Sequence, residues 1–418
     1  MSEPTSVRVP CRNEGCSNLI LPATAAANDG FCAPCVQKRD RDEREKFIRE
    51  NRREVNQYEG LTDAVEIIQV LHTERKYDPL IVYAPEPKAI EVLYGEIDES
   101  GAERLMDTAI LALQAGNNRY ATSIAQGLAA LTDFRLDRLL HQWVKNRELR
   151  PAVIFRGAGA NVRNAVIEAL QTGRVNTNEA LSALAWIGDE VVQRKFRQWD
   201  AEAASWKKSL HIKPSEYSKV AGWELANGAR RNLYHSECLA MMPAEEGQAV
   251  DRTVELMKEG EDRCPWCKRT LIHLIELDLT DGRFAFLRIN FRRFAVLTCD
   301  ACTCFTTIFA SLVGDGRPRW SEFNQRPEYL PDDSETWLSS PWQNAAVTLR
   351  PRRAREAEDW CMELSISQIG GMPSWVQDFQ YPKCPQCTRT MGAVGQVDNG
   401  AFPGNEGECI MRFCATTA

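Results

Sequence analysis

The chain has 418 residues, 44% of them hydrophobic and 26% charged, with a formal net charge of −7 at pH 7. That composition excludes wholesale disorder, and the length predicts two or three domains at roughly 150 residues each. The longest apolar runs are short, Ala23–Ala27 broken by Thr24 and Leu181–Ile187 broken by Ser182, against the roughly 20 residues a membrane span needs, and no charged-then-apolar leader opens the sequence, so the expected location is the cytoplasm.

The fifteen cysteines carry the most information. Without a leader they are expected to stay reduced, which argues against a disulfide framework and for metal. Eight of them form CxxC pairs, at Cys32/Cys35, Cys264/Cys267, Cys299/Cys302 and Cys384/Cys387, and Cys11/Cys16 form a wider pair. None falls between Cys35 and Cys238.

In chain order, a small cysteine-rich unit comes first. The run 36–56 is charged, mixed in sign and helix-forming, and reads as a solvated helix with pairs such as Asp42 and Lys46 one turn apart. A helix over Leu61–Leu71 and a short strand over Pro79–Ala84 follow. From about 99 to 200 short amphipathic helices recur. LAALTD at 128–133 answers LAWIGD at 184–189, Gln142-Trp143 answers Gln198-Trp199, and ALQAG at 112–116 answers ALQTG at 169–173, all at nearly one offset. Such units suggest HEAT-like helical repeats, although the offset exceeds the usual period of roughly 40–47 residues. The loop Gly157-Ala-Gly159 lacks the third glycine of a dinucleotide fingerprint and reads as a connector.

After residue 200 the pattern turns to β. Alternation over Leu271–Leu279, a hairpin signal at Asp281-Gly282 and a returning strand at Phe284–Ile289 lead the series. Further strands are expected at Phe294–Thr298, Trp360–Ile366, Met391–Val397 and Ile410–Ala415. The fold class is therefore α+β and multidomain: an N-terminal four-cysteine zinc unit with its charged helix (1–57), a HEAT-like repeat domain (58–204) and a β-rich domain with a zinc ribbon (205–418).

Two sets of four cysteines have the spacing of closed zinc sites. Cys264, Cys267, Cys299 and Cys302 supply two knuckles that a hairpin brings together, so that four thiolates reach one tetrahedral ion at roughly 2.3 Å. A thioredoxin-type dithiol would open a helix after a strand, whereas Cys264/Cys267 precede a strand. Cys11, Cys16, Cys32 and Cys35 form the second set, in a segment too poor in apolar residues to order itself without metal. Cys384 and Cys387 make a third knuckle, followed by Cys409 and Cys414. Five residues apart on a strand these two point to opposite faces, so the site either takes one of them, Cys414, with a ligand from elsewhere, or holds no metal.

No Walker A, HExxH, GxSxG or kinase set is present, so no catalytic residue is assigned and the chain is not expected to be an enzyme. His235 with Cys238 is the least unlikely nucleophilic route. Two basic clusters, Arg288/Arg292/Arg293 with Phe291 and Phe294, and Arg350/Arg352/Arg353/Arg355, would suit nucleic acid, but the acidic balance and the acids after Arg355 point to solvated surface.

At 369–398 the residues Ile369-Gly370-Gly371-Met372-Pro373-Ser374-Trp375, Tyr381-Pro382-x-Cys384-Pro385-x-Cys387 and Gln396-Val397-Asp398 are similar to the bacterial YwqG-like family, with a resemblance that extends back to about 205 through Gly222-Trp223 and the ribbon. The resemblance implies a β-rich two-lobed fold without an assigned reaction. Combined with helical repeats it implies a component of a toxin–immunity locus, hence a cytoplasmic protein that binds and neutralises a cognate secreted toxin; the alternatives are a zinc-ribbon nucleic-acid-binding protein and an intracellular scaffold with no toxin partner. The departure at the C-terminal end, where the family carries a further strand and often a paired cysteine, puts the third zinc site in doubt.

Overall fold

The computed structural model describes residues 8–244, 247–330, 346–355, 367–375 and 379–398, with the backbone of 410–414. The expected strand Trp360–Ile366 lies outside them. The architecture is mixed α and β, and the chain divides into two compact units, Met1–Ala89 and Ile90–Ala418.

The first unit opens with a minimal antiparallel ribbon, β1 (Val9–Pro10) against β2 (Leu19–Ile20). Helix α1 (Pro22–Ala27) follows, then α2 (Ala33–Asn51), which buries no residue and carries a Lys46–Glu50 pair, as a solvated charged helix should. Strand β3 (Arg53–Val55) runs parallel to β4 (Ile81–Tyr83), and between them α3 (Ala64–His72) buries Val65, Ile67 and Ile68. The carboxylate of Asp63 caps α3 by accepting the Val65 N–H at 3.0 Å.

The second unit starts with helices α4 (Ile90–Glu96), α5 (Glu99–Gln114), α6 (Asn118–Leu131), α7 (Asp137–Lys145), α8 (Ala160–Gln171), α9 (Thr177–Ile187) and α10 (Glu190–Ala201). Their starts are written in the sequence. Asp98, Asn117, Asn176 and Asp189 each accept a backbone N–H of the helix that follows. The ends of α5 and α8, at Gln114 and Gln171, and of α6 and α9, at Leu131 and Ile187, keep the offset of the matched sequences. The matched Trp143 and Trp199 are both buried, on α7 and α10. The alanine-rich α6 comes so close to α4 that a Cβ on Gly127 would lie 2.3 Å from the Tyr94 ring, so only glycine fits there.

Beyond 3₁₀ turns at Ser205–Ser209 and Pro214–Ala221 the strands begin. A hairpin joins β5 (Trp223–Ala226) to β6 (Ala229–Asn232) through Asn227 and Gly228, both at positive φ. This is the Asn-Gly turn whose twist suits a two-residue hairpin. Strand β7 (His235–Pro243) belongs to a five-stranded sheet, and β8 (Val254–Arg263), β9 (Thr270–Asp278) and β10 (Arg293–Thr298) form a three-stranded antiparallel sheet with β9 in the middle. A small ribbon pairs β11 (Ala310–Val313) with β12 (Arg317–Trp320). The larger sheet is completed by β13 (Val347–Pro351), β14 (Gln368–Gly371), β15 (Ala393–Asp398) and β16 (Ile410–Cys414), in the order β13-β7-β14-β15-β16. One apolar core joins the inner faces of both sheets, with Leu239 and Met241 from β7, Leu256 from β8, Leu274 and Leu277 from β9, Phe294 from β10 and Val397 from β15.

The expected strand Phe284–Ile289 is instead a 3₁₀ turn over Gly282–Leu287. Asp281 caps it by accepting the Arg283 N–H at 2.9 Å, and Phe284 and Leu287, three apart, both face the core. Spacing of three is the signature of a tight helical turn rather than of a strand. The link between β9 and β10 is accordingly a folded loop, not a two-residue turn, yet the two strands still pair antiparallel, with Ile272 opposite Thr298.

Candidate metal centres

The ribbon cluster is built by strand ends. Cys264 and Cys267 sit in the turn between β8 and β9, and Cys299 and Cys302 directly follow β10, whose pairing with β9 lays the two turns together. The sulfurs of all four lie within 4.8 Å of one another, and the residues are 0–5% exposed. The Cys264–Cys302 sulfur separation is 3.8 Å and the Cys267–Cys299 separation 3.4 Å. A disulfide would need about 2.05 Å, whereas the edge of a tetrahedron with ligands at roughly 2.3 Å is about 3.8 Å. Hydrogen bonds from Cys299 and then Cys302 pull the Cys264 thiol down to about 2, while those contacts and burial push Cys299 upward. Four buried thiolates side by side would require a cation to offset their charge.

A clasp lies behind this cluster. Arg269, whose carbonyl accepts the Cys264 N–H at 2.8 Å, reaches across to Asp300 between the second pair of cysteines. Its Nη2 and Nε lie 2.9 and 3.2 Å from the two carboxylate oxygens. Asp300 also accepts the Ala301 N–H at 2.8 Å. The fork-shaped pair ties one knuckle to the other, the kind of outer contact that orients metal ligands. Sequence reading missed it, although an arginine two residues after one CxxC and an aspartate inside the other were visible signals.

The N-terminal cluster joins Cys11, Cys16, Cys32 and Cys35, again with sulfurs within 4.8 Å of one another. Cys16 and Cys32 are 3.7 Å apart. Gly15 and Gly30, at φ +80° and +86°, turn the chain so that both pairs face one point. The Cys32 N–H donates to Cys11 Sγ at 3.2 Å, and the amides of Asn18 and Asn13 donate to Cys32 and Cys35 at 3.4 Å. Asn18, followed by the Cys35 N–H, lowers the Cys32 thiol to about 6. Cys32 also sits at the N-cap of α2, where the helix dipole favours a thiolate. Both clusters are closed tetra-thiol sets of the kind that holds zinc or iron.

The remaining expected sites fare differently. Cys384 and Cys387 occupy a half-exposed turn, and they belong to no group of three or more ligands among the described residues. The backbone of Cys414 pairs opposite Ala393, its side chain lying outside the described residues together with Cys361 and Cys409. Cys238 is buried on β7 and its thiol donates to Gln368 Oε1 at 3.3 Å. The neighbouring Gly370 and Gly371 have φ of +71° and +69°, and a Cβ on Gly371 would fall 2.6 Å from the Cys238 sulfur. The GGxPxW motif is thus a tight wrap around this strand. His235 stacks edge-on against Phe286, its protonation disfavoured first by burial and then by the Arg288 charge.

Arg288, Arg292 and Arg293 of the first arginine cluster are exposed, whereas the second cluster pairs with acids of the helical region. Arg350 pairs with Glu91 of α4 at 2.6 Å, while Arg353 and Arg355 both reach Asp133 at 2.7 Å. Arg355 also donates to the carbonyls of Ala129 and Thr132, capping the C-terminal end of α6. Arg293 is paired with Glu276, and Phe294 is in the core, unable to stack on a base. At the glycine loop before α8 the Gly159 N–H donates to the Asp137 carboxylate at 2.5 Å, so that helix start already holds an internal anion. No helix of the described residues is long and apolar enough to cross a membrane.

No family model matches the chain, and no solved structure matches it. Among curated proteins it is 38% identical over 403 residues to the uncharacterized protein YpfL of Salmonella typhimurium, an alignment that covers 93% of this chain and 92% of that protein. Identity at that level across nearly the whole of both lengths places the chain in the YpfL family.

Proposed function

We propose that this chain is a non-enzymatic, zinc-stabilised binding protein of the cytoplasm that neutralises a partner protein, in the manner of an immunity protein against a cognate secreted toxin. The observation that carries this reading is the closure of both cysteine clusters. Four sulfurs, each within 4.8 Å of the others, leave a tetrahedral ion no open position for water or substrate, which is the arrangement of structural rather than catalytic metal. Zinc suits them because it accepts four thiolates and has no redox chemistry of its own.

The helices α5–α10 supply the proposed grip. Their recurring ends and matched buried tryptophans support a stack of two HEAT-like units, whose neighbours cover each other's apolar faces and leave a long outer surface. The net charge of −7 favours a basic partner, such as a nuclease-type toxin domain. Co-expression with the product of a neighbouring gene that is toxic on its own tests the reading: cells are expected to survive, and the isolated proteins to co-elute. Killing at the same rate with and without the chain would overturn it.

A further inference from the structure

We propose that the turn Cys384–Thr390 is a third metal knuckle, which offers the paired thiolates of Cys384 and Cys387 to a thiophilic divalent cation. The argument is an internal echo. The segment Cys384-Pro-Gln-Cys-Thr-Arg-Thr390 repeats Cys264-Pro-Trp-Cys-Lys-Arg-Thr270 at five of its seven positions, and these include both cysteines, the proline and the arginine whose carbonyl closes the turn. In the ribbon the Cys264 N–H donates to Arg269 O at 2.8 Å and the Lys268 N–H to Cys264 O at 2.9 Å. In the echo the Cys384 N–H donates to Arg389 O at 2.8 Å and the Thr388 N–H to Cys384 O at 2.8 Å. Lys268 and Thr388 both stand in the left-handed region, at φ +65° and +59°.

A side chain other than glycine or asparagine holds positive φ only where the surroundings impose it. Both turns accept that strain in one shape, and in the ribbon the same shape aims two sulfurs at a common point. Both are closed by strand pairing at the same place, Arg263 with Thr270 and Lys383 with Thr390. Two differences define the third site. Cys384 and Cys387 are half-exposed where the ribbon cysteines are buried, and no second knuckle faces them among the described residues. The pair is thus a more accessible site, with coordination positions left for other donors or water, and it binds more weakly than the closed clusters.

Metal counting on the full-length chain tests this, with zinc as the probe. Wild type is expected to hold about three equivalents and C384S/C387S about two, since the closed tetrahedral clusters remain. Equal metal content in the two proteins would overturn the proposal. Because that variant also reports the two clusters on its own, failure here is distinguishable from failure of the structural-zinc reading. Should the variant not fold, alkylation of the native chain decides. Added zinc is expected to slow maleimide labelling of Cys384 and Cys387 about tenfold or more, and labelling at the same rate with and without zinc would overturn the site.

Discussion

Replacing Arg269 by alanine asks whether the two knuckles of the ribbon, if they share an ion as proposed, are also held together by the protein. The Arg269 and Asp300 side chains are 19% and 4% exposed and meet at 2.9 Å. Removing one partner of a buried ion pair costs about 3–5 kcal/mol. Asp300 keeps the Ala301 N–H, and partial exposure of Arg269 lets water screen the rest, so we expect a loss at or just below the lower end of that range, about 2–3 kcal/mol. Because the pair spans both turns, zinc affinity of the cluster should also fall, by about 10–100-fold. Urea unfolding in a zinc buffer reads the first quantity, and competition with a chromophoric chelator reads the second. Adding D300N to R269A removes the stranded charge and should recover part of the stability but little of the affinity. An unchanged unfolding midpoint together with unchanged affinity in R269A would refute the reasoning.

Three further outcomes are expected. Stripping the metal should release the N-terminal segment 8–35, whose apolar core is only Cys11, Ile20 and Cys32 with a few half-buried neighbours, while α5–α10 stay intact; hydrogen exchange before and after chelation checks this. R355A should lose about 2 kcal/mol, because the guanidinium is 17% exposed and caps α6 through two carbonyls and Asp133, and its nucleic-acid affinity should not differ from wild type in a mobility assay. Glu276 is held below its ordinary carboxylate range, first by the His273 ring and then, against burial, by Lys258 and Arg293. A depressed folded value means that the stabilisation is complete above the unfolded glutamate range and is lost as pH falls through the folded value, so E276Q should flatten the acid limb of a stability–pH profile.

The cysteine clusters were the most legible part of the molecule, because paired cysteines leave a local signal: two CxxC turns name the four sulfurs of the ribbon, and Cys11-x4-Cys16 with one CxxC names the N-terminal four. Helix starts carry a similar local signal in Asp63, Asp98, Asn176 and Asp189, which accept short-range hydrogen bonds, yet the helix expected from Leu61 begins only at Ala64, after its Asp63 cap. What failed was the reading of a short apolar run. In FAFL at 284–287 alternation and a tight helical turn both bury two residues, and only the cap at Asp281 separates them. The hairpin at Asn227-Gly228 was legible and overlooked. The pairing of Arg350, Arg353 and Arg355 with Glu91 and Asp133 was not legible, because those partners are remote in sequence and no local pattern distinguishes an arginine bound for a distant carboxylate from one left in water.

The position of β14 has a consequence for how the second unit comes together. This strand lies between β7 and β15, and its Gln368 contacts Cys238 of β7 across 130 residues of chain. Emerging from a ribosome, β7 therefore presents an unsatisfied backbone edge for the time needed to make all that lies between, while the four-cysteine ribbon downstream of it closes on nearby partners. Assembly should proceed as an early metal-dependent ribbon and a late insertion of β14, with the buried thiol of Cys238 reporting the second event. Its accessibility to a small alkylating reagent should vanish only when the sheet is complete.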